Sequence, residues 1–507
     1  MNLTDLLEKN IELFGEYPFL YFNDRTYLNV EVRDLANQMA VTLQGLGVGP
    51  GDRVMVCMPN LPEVIIGYQA IVRAKAIIVP VMYLLHEEEI GFIMLDAEPK
   101  VVLTSDAVLD KITAAAAMVG KPPRVVMVDG PSHPEIENVY DLMGGNKGEN
   151  DVDDMRQTED EVAVILYTSG TTGRPKGVCL THRNLYSNAA SSANNSDGER
   201  GTTIGVLPLA HVYGLTVANI CYLTGSAVVV FSKFEATGLF AAIERYKVRN
   251  FSVVPAMIHA MVQDPRSANY DLSSLEWVAS GSAPLSLALS TAFKEKFGAD
   301  VYEGYGLSEA APVVSAHRRD AKHKPGSVGV PLPGVEVQIV DENGRELPAG
   351  EVGELIVRGD NVTPGYYKNQ GATNAALRDG WLYTGDLAKQ DEDGYLYIVD
   401  RKKDLIIRGG FNVYPRDVEE VLARHPGVAQ VAVIGVPSER MGEEVVAYVV
   451  ARQGQDVAPE EVLTYCQHHL AKYKTPRRIL IVDTLPQSAV GKVLKTRLKE
   501  LYAGEHF

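Results

Sequence analysis

Residues 167–178 read YTSGTTGRPKGV, and they follow directly on the apolar run VAVIL at 162–166. An apolar run of that length, closed by a Gly/Thr cluster, predicts a buried strand that empties into a loop. Gly170, Gly173 and Gly177 permit backbone conformations that a side chain forbids. Thr168, Ser169, Thr171 and Thr172 add hydroxyl donors. Successive amides and hydroxyls of this kind can surround a polyphosphate, with Lys176 as a mobile positive charge. The order is not that of the common P-loop, which needs Gly, four residues, then Gly-Lys-Ser/Thr. On composition alone, a flexible surface loop stays open as a reading.

Outward from this loop the chain alternates. Residues 5–14, 30–46 and 60–74 carry helical spacing. Residues 53–58, 76–82, 101–104, 125–128, 162–168, 226–231, 250–255 and 277–280 are short apolar runs that predict buried strands. This βαβ rhythm predicts an α/β fold with helices over a largely parallel sheet. From about residue 327 the texture changes to short alternating strands at 336–340, 353–358 and 395–399. DENG at 341–344 and DEDG at 391–394 predict hairpin turns, so an antiparallel β subdomain is expected over about 327–400. Beyond Asp400 a smaller α+β unit is expected, with helices at 414–425 and 459–470 and strands at 428–435 and 444–452. A boundary is placed inside DRKKD at 400–404, dividing residues 1–402 from 403–507. From spacing alone that charged stretch also reads as a solvated loop.

The 507 residues exceed one ordinary core, so two or more domains are expected. A net charge of −17 argues against general nucleic-acid or anionic-membrane binding. Cys57, Cys179, Cys221 and Cys466 lie far apart without metal-ligand spacing and read as ordinary thiols of a reducing compartment. No secretory signal and no integral membrane segment is seen, so a soluble cytoplasmic protein is expected. HEEE at 86–89 has the look of a metal cluster, but reads better as helix surface.

The loop string resembles the phosphate-loop signature of the adenylate-forming enzyme superfamily, which includes acyl- and aryl-CoA synthetases, luciferases and peptide-synthetase adenylation domains. Further pieces stand in that family's order: LPLAHVYG at 207–214, SGSAPL at 280–285, EGYGLSE at 303–309, GELIVRG at 353–359 and WLYTGD at 381–386. DRKKDLIIRGGFNVYPRDVEE at 400–420, LAKYKTP at 470–476 and LPQSAVGK at 485–492 complete the set. The resemblance spans nearly the whole chain and is nearest to acyl-CoA synthetases for fatty, alicyclic or aromatic acids. It implies a large AMP-binding N-terminal domain and a small C-terminal domain that rotates on a hinge at Lys403.

The resemblance also implies roles. Thr168, Ser169, Gly170, Thr171, Thr172, Gly173 and Lys176 grip the ATP phosphates, Thr168 counting among the catalytic groups. Glu309, beside Ser308, holds Mg²⁺, as hard oxygen ligands do. Tyr305 stacks near the adenine with the backbone of Gly281, Ser282 and Ala283 along the base, and Glu303, Gly304 and Gly306 count among the ATP/AMP-binding residues. Asp386 accepts from the ribose hydroxyls, with Ile398 and Arg401 nearby. The acid pocket takes His211, Val212, Tyr213, Gly214, Gly281, Gly306, Pro312 and Val313. His211 is there a wall that gates the carboxylate rather than a general base. Lys492 bridges the acid carboxylate and the α-phosphate, and Gly409, Gly410 and Lys474 receive coenzyme A. Taken without the family, Lys492 is one more exposed lysine, and Ser308–Glu309 a surface pair.

The activity so implied is ligation of a carboxylic acid to coenzyme A in two steps, through an acyl-adenylate and with release of pyrophosphate and then AMP. An amide-forming ligase passing the acyl group to an amine shares every adenylation motif. Of another class is a non-catalytic nucleotide-binding protein, against which the intact Lys492, Glu309 and Asp386 speak. The end at Phe507 without a carrier domain favours a stand-alone ligase. The acid and the oligomeric state, a homodimer included, stay open.

Overall fold

The computed structural model describes residues 1–130, 133–145, 157–168, 175–195, 200–281, 285–487 and 492–504. Its contacts divide the chain into two compact units, Met1–Glu336 with Val357–Leu382, and Val337–Ile356 with Tyr383–Phe507.

The first unit holds a large sheet whose centre is parallel. Its strands run in the order Val162–Thr168, Ile77–Pro80, Arg53–Cys57, Val101–Thr104, Arg124–Met127. Successive side chains of a strand point to opposite faces, and here both faces are covered. Val54, Val56, Ile78, Val101, Leu103 and Val164 enter one core, while Met55, Cys57, Val79, Val102 and Ile165 enter another. That two-sided burial is why these strands read as unbroken apolar runs. Each such side chain contributes about 1.5–3 kcal/mol of burial. The helices expected at 5–14, 30–46 and 60–74 are Leu3–Phe14, Asn29–Gly45 and Pro62–Arg73. The run at 250–255 gives a strand only to Val253, because Pro255, lacking an amide proton, opens the helix Pro255–Gln263.

A second sheet of this unit joins Asn250–Val253, Trp277–Ser280 and Asp300–Gly306 in parallel, then Val313–Ala316 antiparallel. HEEE is the start of the helix Glu87–Ala97, where the His86 amide donates to Glu89 (3.0 Å) as an N-terminal cap. Among the described residues no group of three His, Cys, Asp or Glu side chains could hold a metal ion.

In the second unit DENG and DEDG close tight turns. Gly344 and Gly394 donate to Asp341 and Asp391, with φ of +77° and +85° that a glycine adopts without strain. Trp381–Gln390 pairs antiparallel with Leu396–Arg401. A further sheet is built on the long antiparallel pair Val428–Ser438 and Gly442–Ala451, with Arg478–Ile481 and Ile406–Arg408 beside the latter strand. The helices Pro415–Leu422 and Pro459–His469 contribute Val418, Leu422, Val462 and Cys466 to its core. All four cysteines are free thiols. Burial pushes Cys57 and Cys221 up to about 12, and Cys179 and Cys466 up to about 11, so none is poised as a nucleophile.

His182 is buried where the N-terminal helix meets the large sheet. Its Nδ1 accepts from the Leu3 amide (3.2 Å), and its Nε2 faces Gln157 Oε1 (2.9 Å). Burial lowers its pKa to about 4, so the fold favours the neutral ring. The unfolded chain takes up this proton near pH 6.5. Stability from this group is therefore complete above pH 6.5 and falls as the pH drops from 6.5 toward 4. Denaturant midpoints between pH 7 and pH 4.5 should drop by the equivalent of about 2–3 kcal/mol from this source. His182→Gln should flatten that part of the slope; an unchanged slope would show that His182 does not carry it.

Candidate active site

Strand Val162–Thr168 does not run from its loop into a helix. The chain returns as the strand Lys176–Thr181, antiparallel to it, with Thr168 opposite Lys176 and Tyr167 opposite Gly177. Both ends of the glycine–threonine loop are thus held by one ladder. Gly177 is required there, since a Cβ would lie 2.8 Å from Ile165 Cγ2. Ser169, Gly170, Thr171, Thr172 and Gly173 fall outside the described residues.

A third strand, Gly365–Tyr366, pairs with Lys176–Thr181 and sets Tyr366 opposite Val178. The Tyr366 ring lies 5.6 Å from Lys176 Nζ, within cation–π range, and its hydroxyl donates to Glu309 Oε1 at 2.8 Å. Burial and the Glu309 charge push the Tyr366 phenol well above its ordinary range, so it stays a donor. Glu309 sits in the short turn Ser308–Ala310, and its carbonyl accepts from the Thr363 amide (2.8 Å). Thr168, Lys176, Ser308 and Glu309 were expected at the phosphates. Tyr366, which links Lys176 to Glu309, carries no mark in the sequence beyond GYY at 365–367. The donor set fits a hard cation: an oxygen ligand, one of whose oxygens is oriented by a phenol.

On the second sheet of this unit, Ser280 pairs with Glu303, Gly304 with Ala316, Tyr305 with Ser315 and Gly306 with Val313. The register therefore gathers Gly281, Glu303, Gly304, Tyr305, Gly306, Pro312 and Val313 at one end of the sheet. Two asparagines pin the turn between them: Asn188 Nδ2 donates to Val313 O (2.7 Å), and Asn361 Nδ2 to Ala310 O (2.9 Å). Gly306 is there for the close strand approach, a Cβ meeting Pro312 O at 2.3 Å. Gly281 differs: among the described residues a Cβ there would meet only Gly304 O, at an ordinary 3.8 Å. Ser282 and Ala283 lie outside the described residues.

His211 caps the helix Val212–Thr224, its Nδ1 accepting from the Tyr213 amide (3.3 Å). Tyr213 is hydrogen-bonded to Ser252 Oγ (2.7 Å), while Val212 is fully buried in the main core. Gly214 packs the helix onto the preceding loop, since a Cβ would lie 2.4 Å from Leu209 Cα.

In the second unit Asp386 and Arg401 are register partners, with Arg401 Nε 3.8 Å from Asp386 Oδ1. Buried Glu354 holds the strand just before Asp386, accepting from the Gly385 amide (3.1 Å) and from Lys402 Nζ (2.7 Å). The Ile398 carbonyl accepts from Arg416. Lys403 lies in the single turn Lys402–Asp404 between two strands. Gly409 and Gly410, with φ of +58° and +84°, join the strands Ile406–Arg408 and Phe411–Val413. Lys474 forms an ion pair with Asp417. Lys492 is exposed beside the Gln487–Val493 bridge.

Residues 7–367 match the AMP-binding enzyme family, and residues 417–492 match the AMP-binding enzyme C-terminal domain. The long-chain-fatty-acid–CoA ligase of Bacillus subtilis is 37% identical over 532 residues, covering 99% of this chain and 95% of that protein. The oxalate–CoA ligase of Arabidopsis thaliana is 34% identical, covering 97% of this chain and 96% of that protein. ATP-bound MatB from Rhodopseudomonas palustris superposes with a TM-score of 0.91 at 33% identity, with 100% of each chain covered. The chain belongs to the AMP-binding enzymes of the adenylate-forming superfamily and is an acyl-CoA synthetase, an ATP-dependent acid–CoA ligase that works through an acyl-adenylate.

Proposed function

We propose that this ligase activates a fatty or aromatic acid. The acid's carboxylate enters past His211, and its apolar body lies along Tyr213, Pro312 and Val313. The observation that carries the assignment of the phosphate site is the Lys176–Tyr366–Glu309 arrangement at the base of the hairpin: a cation, a phenol donor and an oriented carboxylate side by side. Gly281 supports the pocket assignment, being a glycine at which no described residue packs closer than the ordinary contact of Gly304 O.

In the first step a carboxylate oxygen attacks the α-phosphorus of ATP in line, and the bond to the pyrophosphate oxygen breaks. Two anions must meet, so positive charge has to lie between them. Lys492 supplies it, while Thr168 and Lys176 hold the phosphates. Glu309 is the residue that would hold Mg²⁺, which when bound offsets phosphate charge. Asp386 receives the ribose hydroxyls, with Arg401 and Ile398 beside it, and Tyr305 lies against the adenine. In the second step the coenzyme A thiolate attacks the acyl carbonyl, and AMP leaves with the electron pair of the broken C–O bond. Gly409, Gly410 and Lys474 receive the coenzyme. Lys403 is the pivot on which a C-terminal domain of residues 403–507 turns between the two steps. No protein nucleophile is required, in keeping with four thiols held protonated by burial. Those unpaired thiols also support a cytoplasmic setting.

A panel of carboxylic acids assayed by AMP release with coenzyme A present tests the substrate class; turnover confined to short dicarboxylates would reject it. Lys492→Ala should lower acid-dependent pyrophosphate–ATP exchange by about 10²–10³-fold. The same variant should still convert a supplied acyl-adenylate to thioester; exchange at the wild-type rate would remove Lys492 from the mechanism. Tyr366→Phe leaves Glu309 without its donor and should raise the Mg²⁺ needed for half-maximal rate by about 10-fold. An unshifted Mg²⁺ titration would mean that Tyr366 does not orient Glu309.

A further inference from the structure

The Gly409–Gly410 turn joins two strands of three residues each, too short to hold a hairpin rigid by their own ladder. Its flanks face solvent: Ile407 is 53% exposed and Phe411 58%. Arg408 is the register partner of Phe411 on the facing strand, and its side chain is nearly buried. Its Nη2 lies 2.6 Å from Glu444 Oε2, a carboxylate only 7% exposed. Its Nη1 faces the carbonyl oxygens of Lys472, Tyr473 and Thr475 at 3.3, 3.0 and 2.9 Å. One guanidinium therefore clasps the backbone on both sides of Lys474, more than sixty residues away in sequence. A second tie runs parallel to it, since the Phe411 ring stacks on Tyr473 with centroids 5.0 Å apart and planes 28° apart.

A clasp of this form is suited to arginine alone. Its planar fork presents donors in two directions at once, whereas a lysine ammonium is a single point and cannot serve Glu444 and three carbonyls together. The elements it joins are also particular: one carries Gly409 and Gly410, the other Lys474, the residues proposed to receive coenzyme A.

We infer that Arg408 is a positioning residue for the thioester-forming step. It sets the distance between the glycine turn and Lys474, so that the narrow pantetheine arm and the phosphates of the coenzyme meet one preformed face. The inference rests on the proposed role of that face. Arg408 itself touches no substrate, and the adenylation step does not depend on it.

The two half-reactions separate the possibilities. Arg408→Lys keeps the charge beside Glu444 but loses the fork. Phe411→Ala removes the second tie from an exposed position, where unfolding is not at stake. In both variants acid-dependent pyrophosphate–ATP exchange should stay at the wild-type rate. Single-turnover conversion of preformed acyl-adenylate at subsaturating coenzyme A should fall by about 100-fold in Arg408→Lys, the scale of a 1 Å misplacement, and by less in Phe411→Ala. The loss should appear mainly in the KM for coenzyme A. If the wild-type protein forms no thioester from adenylate and coenzyme A, the proposed role of the face fails, and the inference with it. If the wild-type forms thioester and both variants match it, Arg408 is not a positioning residue. A parallel loss of both half-reactions with a lowered melting temperature likewise overturns the inference, leaving Arg408 a plain structural clasp.

Discussion

Strand Val162–Thr168 is gripped from both sides. Val164 and Leu166 are sealed in one core and Ile165 in another, so the strand can neither slide nor roll without exposing apolar surface on one face. Its last residues are half-exposed, and there the chain turns back on itself through the ladder that pairs Thr168 with Lys176. A glycine-rich loop is entropically costly to order. Both flanks of this loop are tethered to a strand that is held in place, Thr168 opposite Lys176. The strand Gly365–Tyr366 extends this constraint, because pairing with the hairpin sets Tyr366 in a fixed register opposite Val178.

The proposed reaction draws a carboxylate and a triphosphate together, which places like charges in contact, and the groups proposed to meet them in the larger unit are linked to one another. Lys176 is held by the strand ladder, Tyr366 lies beneath it, and Glu309 is oriented by the Tyr366 hydroxyl. The second unit uses the same device around Asp386, where Glu354 steadies the preceding strand residue by taking bonds from Gly385 and Lys402. In each unit a carboxylate proposed to meet a ligand has neighbours fixed by charged hydrogen bonds.

The glycines separate into kinds that look identical as letters. Gly177, Gly214 and Gly306 exist because another part of the chain passes too close for a methyl group. Gly409 and Gly410 are needed for their left-handed backbone. Gly281 is of a third kind: among the described residues a Cβ there would meet only the Gly304 carbonyl, at an ordinary 3.8 Å.

From the sequence alone the class of fold was legible, because alternating apolar runs and helical spacings reflect local chemistry and two-sided burial. Strand ends agreed to within a few residues, including the run that stops at Val253 because Pro255 starts a helix. The order of the motifs was enough to identify the family and its chemistry, since a phosphate loop needs its glycines and hydroxyls close together in the chain. Tyr366, the hairpin return at Lys176 and the clasp of Arg408 on the backbone around Lys474 were not legible. The Tyr366 link and the Arg408 clasp join residues far apart along the chain, and the return at Lys176 is a matter of strand register; no local pattern encodes a contact made only when separate strands settle into register. Sequence determined which groups are available; tertiary structure alone decided which of them touch, because burial and strand pairing act across distances that spacing along the chain does not measure.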